Sequence, residues 1–157
     1  MKKPLLIAAV LIILDQISKY LADVFIPYGN FVKIIPLFDF FNLTHIKNTG
    51  AAFSMFQGRN FLFTVCIAVF LAALAVWLYK NYLKLSSLQK YAFALILAGG
   101  TGNLIDRIFR GAVIDFLDFG INALRWPSFN VADSCVCIAA GIIFADIIKQ
   151  LKTKNDK

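Results

Sequence analysis

The sequence predicts an all-α integral membrane protein: four transmembrane helices, with short strands or a flap between the first and second. Three observations predict it. The 157 residues are 60% hydrophobic and only 16% charged, against about 45–50% apolar and about 25% charged in soluble domains. A chain this short has no interior large enough to hide so much apolar surface from water. Four segments approach the roughly 20 residues of helix that cross a hydrocarbon core about 30 Å thick, and positive charge gathers at their ends. Composition excludes an ordinary soluble enzyme, a disordered chain and a disulfide-framed mini-protein. The length suits a single domain over 1–157.

The first span, about 4–25, has its apolar run interrupted by Asp15 and Lys19. It lacks a small-residue cleavage pattern and carries two charges, so it is expected to remain as a helix rather than be cleaved as a signal peptide. The outer loop that follows, about 26–60, is too long and too apolar for a plain connector. FVKII (31–35) and FDFFNLTHI (38–46) are rich in aromatic and β-branched residues, with Pro36 between them, and read as two short strands or an interfacial flap. The second span, about 61–79, carries no charge. The third, about 91–108, begins apolar and ends in GGTGNLIDRI. A second outer loop, about 109–130, leads to the fourth span, about 131–148.

Four spans put both termini on one side. One set of flanks holds Lys2, Lys3, Lys80, Lys84, Lys90, Lys149, Lys152, Lys154 and Lys157; the other holds Lys33, Lys47, Arg59, Arg107, Arg110 and Arg125 over much longer loops. Positive charge is retained in the cytoplasm, so both termini are expected there and the long loops outside. The net charge of +7 is therefore topology, and nucleic acid is not an expected partner. Cys66, Cys135 and Cys137 fall inside the spans and read as small buried apolar residues. With His45 the only histidine, a metal site lacks ligands.

The informative residues are polar ones in apolar surroundings, where ionisable groups are costly and usually face a bundle interior or a cavity. Asp15 and Lys19 are four apart and share a helix face in the favourable order; they are either a self-satisfying ion pair or a pair that orients a site across the bundle. Asn48 and Gly50 lie in NTGAAF, which is either a turn or a place where Asn48 presents its amide to a peptide backbone. Gly99, Gly100 and Gly102 read as close helix packing. Asn103 and Arg107 share a face, whereas Asp106 and Arg107 do not. Asp133, preceded by Asn130, opens the fourth span, as an N-cap or as a carboxylate favoured by the helix dipole. Asp115 lies in an apolar stretch just beyond the third span.

Two carboxylates, Asp115 and Asp133, would thus meet at the outer membrane surface beside asparagines and an arginine. Carboxylates in contact cannot both ionise easily, so one keeps a proton near neutral pH. The charged member can take a proton from water, while the protonated member polarises a scissile carbonyl and then protonates the leaving amine. That is peptide hydrolysis with no cofactor, no metal and no covalent intermediate.

DQISK (15–19), NTGAAF (48–53), GGTGNLIDR (99–107), VID (113–115) and FNVADS (129–134) occur in one order at sensible intervals. With these blocks the whole chain resembles the bacterial lipoprotein signal peptidases, signal peptidase II. The resemblance implies an intramembrane aspartyl endopeptidase of the bacterial inner membrane. Such an enzyme cuts a diacylglyceryl-modified prolipoprotein just before its lipidated cysteine, and is inhibited by the cyclic lipopeptide globomycin. It implies Asp115 and Asp133 as catalytic residues and Asp15, Lys19, Asn48, Gly50, Asn103, Arg107 and Asn130 as supporting ones. It also implies a small extracytoplasmic sheet and flap in the 28–60 loop, and membrane lipid around the active site. Two rivals are a serine nucleophile (Ser134 or Ser18) with Lys19 as base, and a small transporter or channel subunit using Asp15, Lys19 and Asp133. A catalytically idle scaffold is a third.

Overall fold

The computed structural model describes residues 2–34, 40–50 and 55–155. Four helices, α1 (Lys2–Phe25), α2 (Asn60–Asn81), α3 (Ser87–Phe109) and α4 (Val131–Asn155), are joined by a 3-10 turn at Tyr82–Lys84 and by four strands: β1 (Phe31–Lys33), β2 (Phe41–Asn48), β3 (Val113–Ile121) and β4 (Leu124–Arg125). All four helices are long and apolar enough to cross a membrane. Helix α2 is the most apolar, with Leu71 its one buried residue, so nearly its whole surface suits lipid. Helix α3 is the least apolar of the four and the most buried, and it packs against each of the others.

Small residues let it do so. A methyl group at Gly99 would lie 2.3 Å from the Ala132 carbonyl oxygen of α4, and one at Gly102 would lie 2.5 Å from the Asp15 carboxylate of α1. At Gly100 the nearest atom is the mobile tip of Leu71, 2.7 Å away. The Ala132 backbone cannot swing aside as a leucine tip can. We therefore expect Gly99→Ala to lower stability by about 1–3 kcal/mol, and Gly100→Ala to lower it by less, as measured by thermal unfolding in detergent. Helix α3 starts with a capping box: Ser86 accepts from the Gln89 N–H and the Gln89 side chain accepts from the Ser86 N–H, which satisfies two of its four orphan donors.

The sheet is antiparallel in the order β1–β2–β3–β4. The expected strands of the first outer loop are present as β1 and most of β2; Pro36 and the residues 35–39 lie outside the described residues, as do Ala51, Ala52 and Phe53 of the NTGAAF block. The second outer loop, read from the sequence as plain loop, supplies β3 and β4. The first four residues of β3 are all buried, so the strand lacks the inside–outside alternation that announces a half-exposed strand. Between Leu43 and Ile46 the β2–β3 register slips, with Leu43 opposite Leu117 but Ile46 opposite Asp115. One extra residue on β2 is a bulge, which re-aims the side chains beyond it. Beyond it lies Asn48, whose amide reaches Asp115.

Of the cysteines only Cys135 is buried; Cys66 and Cys137 are exposed on their helices, and all three are free. Two of the three are thus surface residues on membrane-spanning helices, not the buried residues expected. His45 is a buried strand residue whose Nδ1 lies 2.9 Å from the Ile26 carbonyl and whose Nε2 lies 3.1 Å from Asp23.

Candidate active site

Where the sheet meets the ends of α1, α3 and α4, the polar residues form one hydrogen-bonded network. Asp115 on β3 receives the Asn130 amide at 2.7 Å on one carboxylate oxygen and the Asn48 amide at 3.2 Å on the other. Asp133, on the first turn of α4, receives the Asn103 amide at 2.8 Å and the Asn130 backbone N–H at 3.2 Å. Asn130 therefore touches both carboxylates. It also takes the capping position assigned above to Asp133: its side-chain oxygen accepts from the Asp133 N–H at 2.9 Å, and Asp133 answers as the reciprocal partner.

The orientation of each amide is set by what its oxygen accepts. The Asn48 oxygen takes the Gly50 N–H at 2.9 Å and the Gln57 amide at 3.3 Å, which turns its NH2 toward Asp115. The Asn48 amide thus serves a carboxylate, in place of the peptide backbone considered from sequence. The Asn103 oxygen takes the Lys19 ammonium at 2.9 Å, which turns its NH2 toward Asp133. Arg107 does not hold a carboxylate directly. Its guanidinium donates to the Gly50 carbonyl and to Asn60 and lies over the Phe63 ring. It fixes the Asn48–Gly50 turn against α2 and α3.

Beneath the pair is a fully buried ionic core. Lys19 contacts Asp15 at 2.8 Å and Asp106 at 2.9 Å; with Asn103 this occupies all three ammonium protons. Asp15 also accepts the Ala132 N–H of α4 at 2.8 Å. Asp106 pairs with Arg110, accepts the Gln16 amide, and accepts the N–H of Ile114, the second residue of β3. Sequence reasoning gave no site role to Asp106, Gln16, Arg110 or Asn60. The i,i+4 spacing of Asp106 and Arg110 was the available signal, but Arg110 lies past the expected end of the third span. The nine residues singled out from the sequence all lie in this network.

The rival serine chemistry has no geometry here. Ser18 and Ser134 donate their hydroxyls to the carbonyls of Asp15 and Asn130 at 2.9 and 3.0 Å, and the Lys19 ammonium is fully engaged. Among the described residues no group of three or more His, Cys, Asp or Glu side chains is arranged to hold a metal ion.

Burial, then the nearby charge of Asp133, pushes the Asp115 carboxyl from the usual 3.8 up to about 7, against the opposing hydrogen bonds from Asn48 and Asn130 and the charge of Lys19. Folding therefore favours the protonated form. Stability tied to this group is fully present below about pH 4 and is lost as pH rises through about 7. We expect the melting temperature of the wild-type chain to fall between pH 5 and pH 8, and Asp115→Asn to flatten that fall. An unchanged slope in the variant would contradict this.

Fold and site together define a polytopic membrane protein whose sheet and helix ends bring a buried carboxylate, Asp115, and a half-buried one, Asp133, into one asparagine-bridged network. The comparisons with known proteins agree. Residues 7–149 match the family model described as signal peptidase (SPase) II. The lipoprotein signal peptidase of Alteromonas mediterranea is 38% identical, covering 96% of this chain and 83% of that protein. That of Thermodesulfovibrio yellowstonii is 39% identical, over 90% of each. A bacterial membrane enzyme solved by the in meso method at 2.3 Å resolution superposes with a TM-score of 0.88 at 32% identity, over 100% of this chain and 94% of that one. The chain belongs to the signal peptidase II family, a family of membrane peptidases.

Proposed function

We propose that this protein is an aspartyl endopeptidase of the bacterial inner membrane that removes the signal peptide from diacylglyceryl-modified prolipoproteins, cutting before the lipidated cysteine. Membership of the signal peptidase II family supports the prolipoprotein substrate. The observation that carries the aspartyl mechanism is Asn130, which bridges Asp115 and Asp133. Asp115 is the resting holder of the shared proton and Asp133 the base. Water attacks the scissile carbonyl and gives a proton to Asp133 while Asp115 polarises the carbonyl oxygen. The C–O bond forms, the C–N bond breaks, and the departing cysteine amine takes a proton from the pair. The signal peptide leaves with a new carboxylate.

The lysine-rich flanks favour cytoplasmic termini and an active site on the extracytoplasmic side, where a diacyl anchor would hold the cleavage point. A signal-peptide helix must be opened before it is cut, and freed backbone groups in lipid are costly; the polar network that holds Asp115 and Asp133 lowers that cost by giving those groups a polar surrounding. A globomycin-type lipopeptide would occupy the same site. A transporter is less well supported, because the polar residues collect at one end of the bundle and α2 offers no path residue. Purified protein is expected to cut a diacylglyceryl-modified precursor and to leave the unmodified precursor largely intact in a gel-shift assay. Equal cleavage of both would remove the lipid from substrate recognition.

A further inference from the structure

The end of the bundle opposite the sheet carries a recess that the peptidase chemistry does not use. It is open, has a volume of about 400 Å³, and is lined by Lys2, Lys3, Tyr82, Ser87, Lys90 and Tyr91 among others; among the described residues none of those lining it is acidic. The volume lies within the range of about 300–1,000 Å³ typical of small-ligand sites. The Lys90 ammonium sits 5.0 Å from the centre of the Tyr82 ring, which holds one cation at the mouth. Helix α3 begins at the recess. Its capping box uses the N–H groups of Ser86 and Gln89, and those of Ser87 and Leu88 have no acceptor within the helix.

Three cations, two phenols and a hydroxyl in the lining suit an anion with several acceptor oxygens, such as a phosphate group; the neighbouring carboxylate, Asp146, is taken up by the Gln89 and Gln150 amides. The surroundings say which kind. The recess lies at the ends of membrane-spanning helices, at headgroup level, and Leu5, Leu6 and Leu88 are exposed on the adjoining turns. A phosphate bound there would have apolar surface beside it, where acyl chains can lie. Basic recesses between transmembrane helices recognise anionic headgroups in this way.

We propose that this recess binds the phosphate of an anionic phospholipid, with Lys2, Lys3 and Lys90 as its cationic contacts. A bound lipid would tie the first turn of α1 to the start of α3 and neutralise like charges that otherwise repel.

The test uses the full chain in detergent, stripped of lipid, then given phosphatidylglycerol or phosphatidylcholine with the same acyl chains. Native mass spectrometry reads bound lipid and thermal unfolding reads its effect. We expect phosphatidylglycerol to be retained and to raise the melting temperature, and Lys3→Gln/Lys90→Gln to weaken that retention about tenfold. Lys80→Gln/Lys84→Gln, which removes the same charge from the same end but outside the recess, should bind like the wild type. Lys3→Gln alone, at an exposed position, should shift binding in the same direction as the double variant. Equal losses in the two pairs would mean diffuse charge attraction and would overturn the proposal, as would equal binding of the two lipids. Stabilisation by inorganic phosphate as large as that by phosphatidylglycerol would assign the recess to a soluble anion and overturn the lipid.

Discussion

Asp115→Asn and Asp133→Asn are each expected to lower the rate of precursor cleavage by about 10²–10⁴-fold, the range that a positioned acid or base contributes. The upper end is expected, because groups that act as a unit are lost together. An asparagine at 115 cannot share a proton with Asp133, and its NH2 would turn one of the two donors, Asn48 or Asn130, into a clash of like hydrogen-bonding groups. At 133 it removes the carboxylate proposed to take the proton from water. Neither change empties a cavity or strips the charge from the ionic core, so both variants should fold. A readout of rate on protein shown to be folded therefore separates chemistry from structure.

Lys19→Met is expected to be the most damaging single change to stability. Breaking a buried ion pair by removing one partner costs about 3–5 kcal/mol. Here the one cation serves two carboxylates, Asp15 and Asp106, both essentially inaccessible to solvent. Asp106 would keep Arg110, whereas Asp15 would be left with the Ala132 N–H and the Gln16 amide. Lys19→Arg should rescue poorly: three acceptors converge on a compact ammonium, and a planar guanidinium is not interchangeable with it. The loss should appear as a lower melting temperature and a lower yield of folded protein in detergent. A Lys19→Met chain that melts with the wild type would show that the ionic core contributes little. The variant also frees the Asn103 oxygen, so any surviving protein should cut more slowly than its stability alone predicts.

Much of this architecture is legible in the amino-acid order because the bilayer imposes a harsh rule. Apolar runs of a fixed length must be helices, and every charge within them needs a reason. Asp15 and Lys19 stand out on that rule, and their spacing puts them on one face without any knowledge of the rest. The boundaries are less legible. Helix α4 continues to Asn155, well past the apolar run that ends near 148, because lysine-rich turns stay helical in water as readily as in the membrane. Strand β3 is concealed for a different reason: covered on both faces at its start, it reads as a short apolar run with two aspartates. Asp106 is concealed by distance. Its partner Lys19 belongs to another helix, and no local spacing announces a contact made across the bundle. The Asn48 amide shows a further limit, since residue type marks it as a hydrogen-bonding group but only the bulge in β2 decides that it faces Asp115.

The most direct measurement is the rate of lipidated-precursor cleavage by Asp115→Asn, Asp133→Asn and the double variant, each first shown to melt as a folded chain. If the two carboxyls work as one proton-sharing pair, all three fall to the same residual rate and the double variant is no worse than either single. If one single variant keeps more than about a tenth of wild-type activity, or if the two losses multiply in the double variant, the carboxyls do not act as a catalytic pair.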